Sequence, residues 1–220
     1  MKNDYPLPEG YTTRPAKMDD LEAAVEVFNL CSLEAIGQTE FEIVDIRNEW
    51  TAPGLNPETD QRVVLSPEGK LVAYEEVWAL NDTPVHPWVW GRVHPEYKNL
   101  GIGSHLLAWA DERAHQVIEK VPHEARVSFR VGAWDTHNPS NNLLQGFGMT
   151  LIRHSFQMRI NMEEPAAAPH FPAGIEIRTF RPEDAEAVYR ADDEAFEDHF
   201  GYVPESFESG FEKFKHFFLE

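Results

Sequence analysis

The stretch from Trp88 to Glu119, WVWGRVHPEYKNLGIGSHLLAWADERAHQVIE, constrains the fold more than any other part of the chain. It reads as a strand (Trp88 to Val93), a turn opened by Pro95, a short glycine-containing loop and then an amphipathic helix. Lys98, Gly101 and Gly103 are spaced K-x-x-G-x-G. Glycine at 101 and 103 permits positive φ and lets the backbone approach a ligand with no Cβ in the way. The helix that follows aims its unpaired N–H groups, and the positive end of its dipole, back at the loop. Strand, glycine loop and helix N-terminus together predict an anion site, most often one for phosphate. Leu106 stands where G-x-G-x-x-G needs its third glycine, and G-x-x-x-x-G-K-[ST] is absent.

With 220 residues the chain can bury one sizeable core, or one domain and part of another. No apolar run approaches the ~20 residues of a membrane span. The opening MKNDYPLPEGY lacks the apolar core of an export signal. Cys31 is the only cysteine, so no internal disulfide is expected and a cytoplasmic setting is the natural reading. It lies on an apolar helical stretch, as a core residue rather than a nucleophile. A formal charge of −19 argues against nucleic acid as a partner, and suits either a cationic substrate or a strongly solvated surface.

From the N-terminus, Tyr11 to Pro15 reads as extended. A helix follows, carrying Leu21, Ala24, Val25, Phe28 and Cys31 on one face, with Asp19 or Asp20 capping it. Phe41 to Trp50 is a second helix. Gln61 to Ser66 and Leu71 to Leu80 are strands joined by a Pro67-Glu68-Gly69 turn, and Trp88 to Val93 completes the meander. The helix after the glycine loop buries Leu106, Leu107, Ala110, Ala114, Val117 and Ile118, and Pro122 ends it. A strand (Arg126 to Ala133), a helix (Ser140 to Phe147, stopped by Gly148) and a last alternating strand (Leu151 to Asn161) complete the expected set.

Residues 163 to 174 (EEPAAAPHFPAG) read as a semi-rigid linker. Beyond it the chain repeats its opening at an offset of 164: Arg14 matches Arg178, Asp20 Asp184, Glu22 Glu186, Ala23 Ala187 and Gly37 Gly201. A strand (Ile175 to Phe180) and two helices (Pro182 to Glu197, Pro204 to Phe217) are expected there. This piece carries 5 Lys and Arg against 15 Asp and Glu, and too little strand for its own core. It is expected to dock on the first domain, to pair with another copy of the chain, or to stay mobile. It reads as a truncated product, the alternative being a half-domain used as a lid or dimer arm.

The longer pattern V-x-P-x-x-K-x-x-G-x-G, from Val93 to Gly103, resembles the acetyl-CoA-binding motif of the GCN5-related N-acetyltransferases, where the position of Lys98 is usually Arg or Gln. The order β-α-α-β-β-β-α-β-α-β over residues 11 to 162 is also that of one complete domain of the family. The resemblance implies an α/β (α+β) fold with a mixed, mostly antiparallel central sheet flanked by helices. Residues 175 to 220 are then the opening of a second, incomplete domain of the same kind. It further implies that Val93 pairs with the pantetheine arm of coenzyme A, that Lys98, Asn99, Leu100, Gly101, Ile102, Gly103 and Ser104 hold its pyrophosphate, and that Asn138 takes the place of a usual Asn. Coenzyme A is itself a polyanion, so in a chain of this charge the site must rely on backbone N–H groups, Lys98, and Arg92 or Arg126.

The activity so implied is acetyl transfer from acetyl-CoA to a small-molecule amine, with no metal, nucleic acid or membrane as partner. The rival is a non-catalytic acetyl-CoA-binding half of a tandem acetyltransferase, because in tandem members one half commonly catalyses while the other has decayed. Anchored on Gly148, the family's helix pattern N-x-x-A-x-x-L-Y-x-x-x-G-F puts Leu144 where the usual Tyr meets the leaving thiolate. For the base, Glu75 and Glu76 point to opposite sides of their strand, and Glu76 shares a face with Val72, Tyr74 and Trp78. A carboxyl among aromatics has a raised pKa, which makes Glu76 the candidate, with His94 and His137 as others. No H-E-x-x-H, paired cysteine or G-x-S-x-G supports a metalloprotease, zinc or serine-hydrolase reading.

Overall fold

The computed structural model describes residues 5–119 and 121–219. Met1 to Asp4 of the N-terminal stretch, and Glu220 of the C-terminal segment, lie outside them. The first helix shows how local sequence sets an element. Asp20 ends a 3-10 turn (Met18–Asp20), and its carboxylate accepts from the backbone N–H of Lys17 at 2.8 Å and from both Nη atoms of Arg14 at 2.6 and 2.7 Å. The chain then runs into α1 (Leu21–Ile36), which stops at Gly37 in the left-handed region (φ 77°), its N–H donating to the Leu33 carbonyl. α2 (Ile43–Trp50) and the single turn α3 (Pro57–Asp60) lead to the sheet.

Five strands lie in sequence order: β1 (Thr12–Arg14), β2 (Gln61–Leu65), β3 (Leu71–Trp78), β4 (Trp88–Val93) and β5 (Arg130–Val131). The first four are antiparallel neighbours and β5 is parallel to β4, so the mixed, mostly antiparallel sheet flanked by helices is the architecture found. α4 (Ile102–Ile118) covers one face through Ile102, Leu106, Leu107 and Ala110. α1 and α2 cover the other. There Phe28 is fully buried, with its ring centroid 4.7 Å from Trp90 and 5.1 Å from Tyr74, while Trp50 stacks on Tyr74 at 5.3 Å. Aromatic pairs in these tilted and offset geometries contribute beyond their buried area.

Three expected strands are shortened or absent. The stretch Arg126 to Ala133 pairs only at Trp88↔Arg130 and Val89↔Val131. Before that the amides of Ser128 and Arg130 donate to the carbonyls of Val85 and Pro87, in the loop ahead of β4 (3.0 and 2.9 Å). Leu151 to Asn161 forms no strand, and Ile152, Phe156, Met158 and Ile160 are exposed despite their alternation. Ile175 to Phe180 forms none either. An alternating pattern specifies two faces of a strand but supplies no hydrogen-bond partner, and no neighbouring strand lies beside these segments. α5 (Asn138–Gly146) forms where a helix was expected, starting two residues earlier.

Beyond residue 181 the opening geometry recurs. A 3-10 turn (Pro182–Asp184) precedes α6 (Ala185–Phe196), and Arg178 donates from both Nη atoms to Asp184 at 2.6 Å, as Arg14 does to Asp20. The N–H of Arg181 donates to Asp184 as that of Lys17 does to Asp20, and Gly201 is left-handed (φ 84°) like Gly37. α7 (Phe207–Phe218) starts 164 residues after α2. This segment packs beside the end of β3. Ser206 donates from both N and Oγ to Asp82 (2.8 Å), Lys213 Nζ donates to the Leu80 carbonyl (3.1 Å), and the Phe217 ring lies 6.3 Å from Trp78.

Because Phe28 joins α1 to β3 and β4 through one aromatic cluster, Phe28→Ala is expected to cost about 3–5 kcal/mol of stability, read as a lowered urea midpoint at unchanged slope. A loss below about 1 kcal/mol would contradict the central place given to this ring.

Candidate functional site

After Val89 the neighbours β4 and β5 part company, leaving the edge of β4 from Trp90 to Val93 without a strand beside it. A cavity of about 560 Å³ occupies the gap. The first turns of α4 and the glycine loop form its floor, α1 lines it through Cys31, Ser32 and Glu34, and residues 131–134 with α5 form the far wall. Of the cofactor-loop candidates, Val93, Lys98, Asn99, Gly101, Ile102, Gly103 and Ser104 line it, as does Asn138. Leu100 does not; its side chain is exposed.

The loop conformation depends on positive φ at Gly101 (81°) and at Asn99 (62°). Gly101 stands at the N-cap of α4 with no side chain capping the helix and no acid in the first turn. The amides of Ile102, Gly103 and Ser104 therefore face the cavity end of a 17-residue helix without an internal acceptor. At Gly103 an added Cβ would lie 2.9 Å from Leu143 Cδ2, so the glycine keeps this wall narrow and its amide approachable. An acceptor-rich polyanion fits such a donor set.

Lys98 is already paired. Its Nζ forms an ion pair with Glu34 of α1, and this holds the Glu34 carboxyl below the usual carboxylate range. The other Glu34 oxygen is 3.6 Å from His137 Nε2, while His137 Nδ1 lies 2.8 Å from Ser140 Oγ at the start of α5. Glu34 thus joins α1, the glycine loop and α5 across the cavity mouth.

The open edge of β4 is covered by side chains of the chain itself. Cys31 Sγ donates to the Val93 carbonyl (3.2 Å), and Arg92 Nη1 donates to the Gly91 carbonyl (2.8 Å). Burial pushes the Cys31 thiol up to about 11 against the pull of Arg92, so it is a protonated thiol at neutral pH. Arg92 lines the cavity and Arg126 does not.

The register separates the two glutamates. Glu76 pairs with Trp90 and shares the face of Tyr74, whose hydroxyl donates to its Oε2 at 2.6 Å. Burial pushes it up to about 7, partly offset by that bond, but it lies in the aromatic core and does not line the cavity. Glu75 does. It pairs with Gly91, and a Cβ there would lie 1.7 Å from Glu75 Oε2, so the missing side chain is what admits the carboxyl. Burial raises Glu75 to about 8 against the attraction of Arg92, with the charge of Glu76 adding to the rise. A glycine inside a strand marks close approach of another group, and this signal was available in the sequence. His94 is buried outside the cavity, accepting from the N–H of Glu96.

No sequence profile of a known protein family matches the chain. A crystal structure of a GCN5-related N-acetyltransferase from Sphaerobacter thermophilus superposes with a TM-score of 0.70 at 26% identity, over 93% of this chain and 62% of that one. A mycothiol acetyltransferase of Streptomyces bingchenggensis is 35% identical over 131 residues, which is 57% of this chain and 38% of that protein. In sequence and in fold the chain is similar to GCN5-related N-acetyltransferases. A second mycothiol acetyltransferase, from Thermobispora bispora, is 32% identical over 108 residues, 49% of this chain and 33% of its own length. The chain thus spans between 33% and 43% of the curated acetyltransferases it matches. A phosphinothricin acetyltransferase from Sinorhizobium meliloti, solved in complex with AcCoA, shares the fold at a TM-score of 0.50 and 20% identity, over 63% of this chain and 74% of that one. Among the described residues, no His, Cys, Asp and Glu group is arranged to hold a metal ion, and no helix is long and apolar enough to cross a membrane.

The raised pKa of Glu75 has a thermodynamic signature. A native group near 8 keeps its proton while an unfolded Glu releases it near ~4.3, so the native state binds more protons between those values. Stability from this site is then highest below the unfolded value, declines as pH rises through the window, and is flat above it. Glu75→Gln should gain melting temperature relative to wild type progressively from about pH 5 to about pH 8. A pH-independent difference would show that Glu75 is not held protonated.

Proposed function

We propose that the chain binds acetyl-CoA in this cavity and transfers its acetyl group to the amine of a small molecule. The observation that carries the reading is the convergence of the uncapped α4 N-terminus, the unpaired edge of β4 and the buried Glu75 carboxyl on one cavity. The amides of residues 102 to 104 would hold the pyrophosphate, with Lys98 beside them. The open edge at Gly91 and Val93 would take the pantetheine arm. Acetyl-CoA would supply the acetyl group as a thioester. Glu75, rather than Glu76, is the carboxyl placed to take a proton from the acceptor's ammonium group, and a pKa near neutrality suits that work.

A second reading is a non-catalytic acetyl-CoA-binding half. It draws on Leu144, which lines the cavity where the family resemblance implies a Tyr and can donate no hydrogen bond. We also infer that residues 11 to 162 form one module, residues 163 to 174 a linker, and residues 175 to 220 the opening of a second module of the same kind. The repeated Arg–Asp clamp and the repeated left-handed glycine support this.

Acetyl-CoA at ~100 times its Kd should raise the unfolding free energy by about 2.7 kcal/mol. Gly103→Val should remove that gain by narrowing the loop against Leu143, and an unchanged response would refute the site. Release of free thiol over a panel of amines separates the readings, since a protein that binds cofactor and turns over no amine is the non-catalytic half. Glu34→Gln should free Lys98 and tighten acetyl-CoA binding several-fold by calorimetry, whereas weaker binding would mean that Glu34 supports the loop instead of competing for its cation.

A further inference from the structure

Arg92 is a cation with no ion-pair partner among the described residues. Its guanidinium carbon lies 4.2 Å from the Trp90 ring centroid, one Nη bonds the neighbouring Gly91 carbonyl, and among the described residues no carboxylate lies within ion-pair distance. Glu40, an attractive charge nearby, accepts from Ser32 Oγ at 2.8 Å, and Glu75 leaves β3 on the opposite face of the sheet. A half-buried cation in a chain of −19 would ordinarily be matched by one of its 38 acidic residues. This one opens onto the cavity instead.

The geometry assigns Arg92 as the subsite for a carboxylate on the acceptor, which makes the acceptor an amine that also carries a carboxylate, of amino-acid type. This rests on the acetyl-transfer reading and names its substrate class. Arg92 has five N–H donors in a planar fork and spends one of them on Gly91. The remaining edge matches the two oxygens of a carboxylate, and the Trp90 ring beneath holds the plane in place. Along β4 the next position back is Gly91, over which the Glu75 carboxyl lies. Arg92 and Glu75 leave the sheet on opposite faces, and both line the cavity beside this edge. A molecule that reaches the cavity beside the bound thioester can present a carboxylate to Arg92 and its nitrogen toward Glu75. A simple cationic amine would meet the guanidinium as a like charge, which disfavours it.

The test uses the full chain saturated with coenzyme A, so that no turnover occurs, and calorimetric titration with matched sets of an amino acid, its amide and its decarboxylated amine. In at least one set the carboxylate form is expected to bind about tenfold more tightly than the other two, the scale of a charge-assisted bidentate contact. Arg92→Met, which keeps the packing on Trp90, should abolish that preference. Arg92→Lys, which keeps charge and loses the fork, should fall between them and covers the case of a Met variant that does not fold. Equal binding of acid and amide, a preference that survives Arg92→Met, or no binding of any acid at about 10 mM, above the usual KM range, would overturn the assignment. Loss of the acetyl-CoA shift in the wild-type chain would instead reject the cofactor reading beneath it.

Discussion

The site exists because β4 and β5 are bonded over only two residues. A fully paired edge would close the sheet and leave no room for a ligand beside Gly91 and Val93. Unpaired backbone groups in a protein interior are costly, so the gap must be covered. Cys31 and Arg92 do this by bonding the two exposed carbonyls. The aromatic cluster of Phe28, Tyr74, Trp50 and Trp90 keeps α1 pressed on the sheet beside this edge, and so holds Cys31, Ser32 and Glu34 at the cavity wall. Core and site are one construction, because the helix that fills the core also lines the opening.

Electrostatics decides how an anion can be held in a chain of this charge. The first turn of α4 carries no acid, and its free amides supply a fixed positive end whatever the net charge. Lys98, the obvious cation in the motif, is bound by Glu34. The two cationic side chains in the cavity therefore behave differently: Lys98 is ion-paired, while Arg92 has no ion-pair partner among the described residues. Glu75 contrasts with both, since burial keeps it near neutral and it adds little to the negative field at physiological pH.

The C-terminal segment repeats the opening clamp down to the backbone angles of its capping residue, φ −85° and ψ −12° at Asp184 against −84° and −10° at Asp20. Local hydrogen bonding within seven residues is enough to reproduce this geometry. It is not enough to reproduce the strand before it. Thr12–Arg14 is a strand because β2 lies beside it, whereas residues 175–180 have the same local context and no such neighbour.

Helices, turns and the glycine loop were legible in the sequence because each rests on contacts within one or two turns of chain: the apolar stripe of α1, the stop at Gly37, and positive φ at Gly101. Strand alternation in residues 151 to 161 was equally plain and yet formed nothing, because a strand needs a partner that local sequence cannot supply. The same limit applied to the carboxyls. Sequence determined that Glu75 and Glu76 point to opposite faces and that Glu76, among aromatics, would have a raised pKa, whereas burial raises both. Only the tertiary structure decided that Gly91 opens the cavity to Glu75 while Tyr74 and Trp90 enclose Glu76, since that depends on which residue of β4 stands across the sheet. Composition determined a strongly acidic chain, and the glycine spacing determined the loop that opens α4. The fold alone decided that Lys98 meets a carboxylate and that Arg92, among the described residues, does not, because pairing depends on distances that only packing sets.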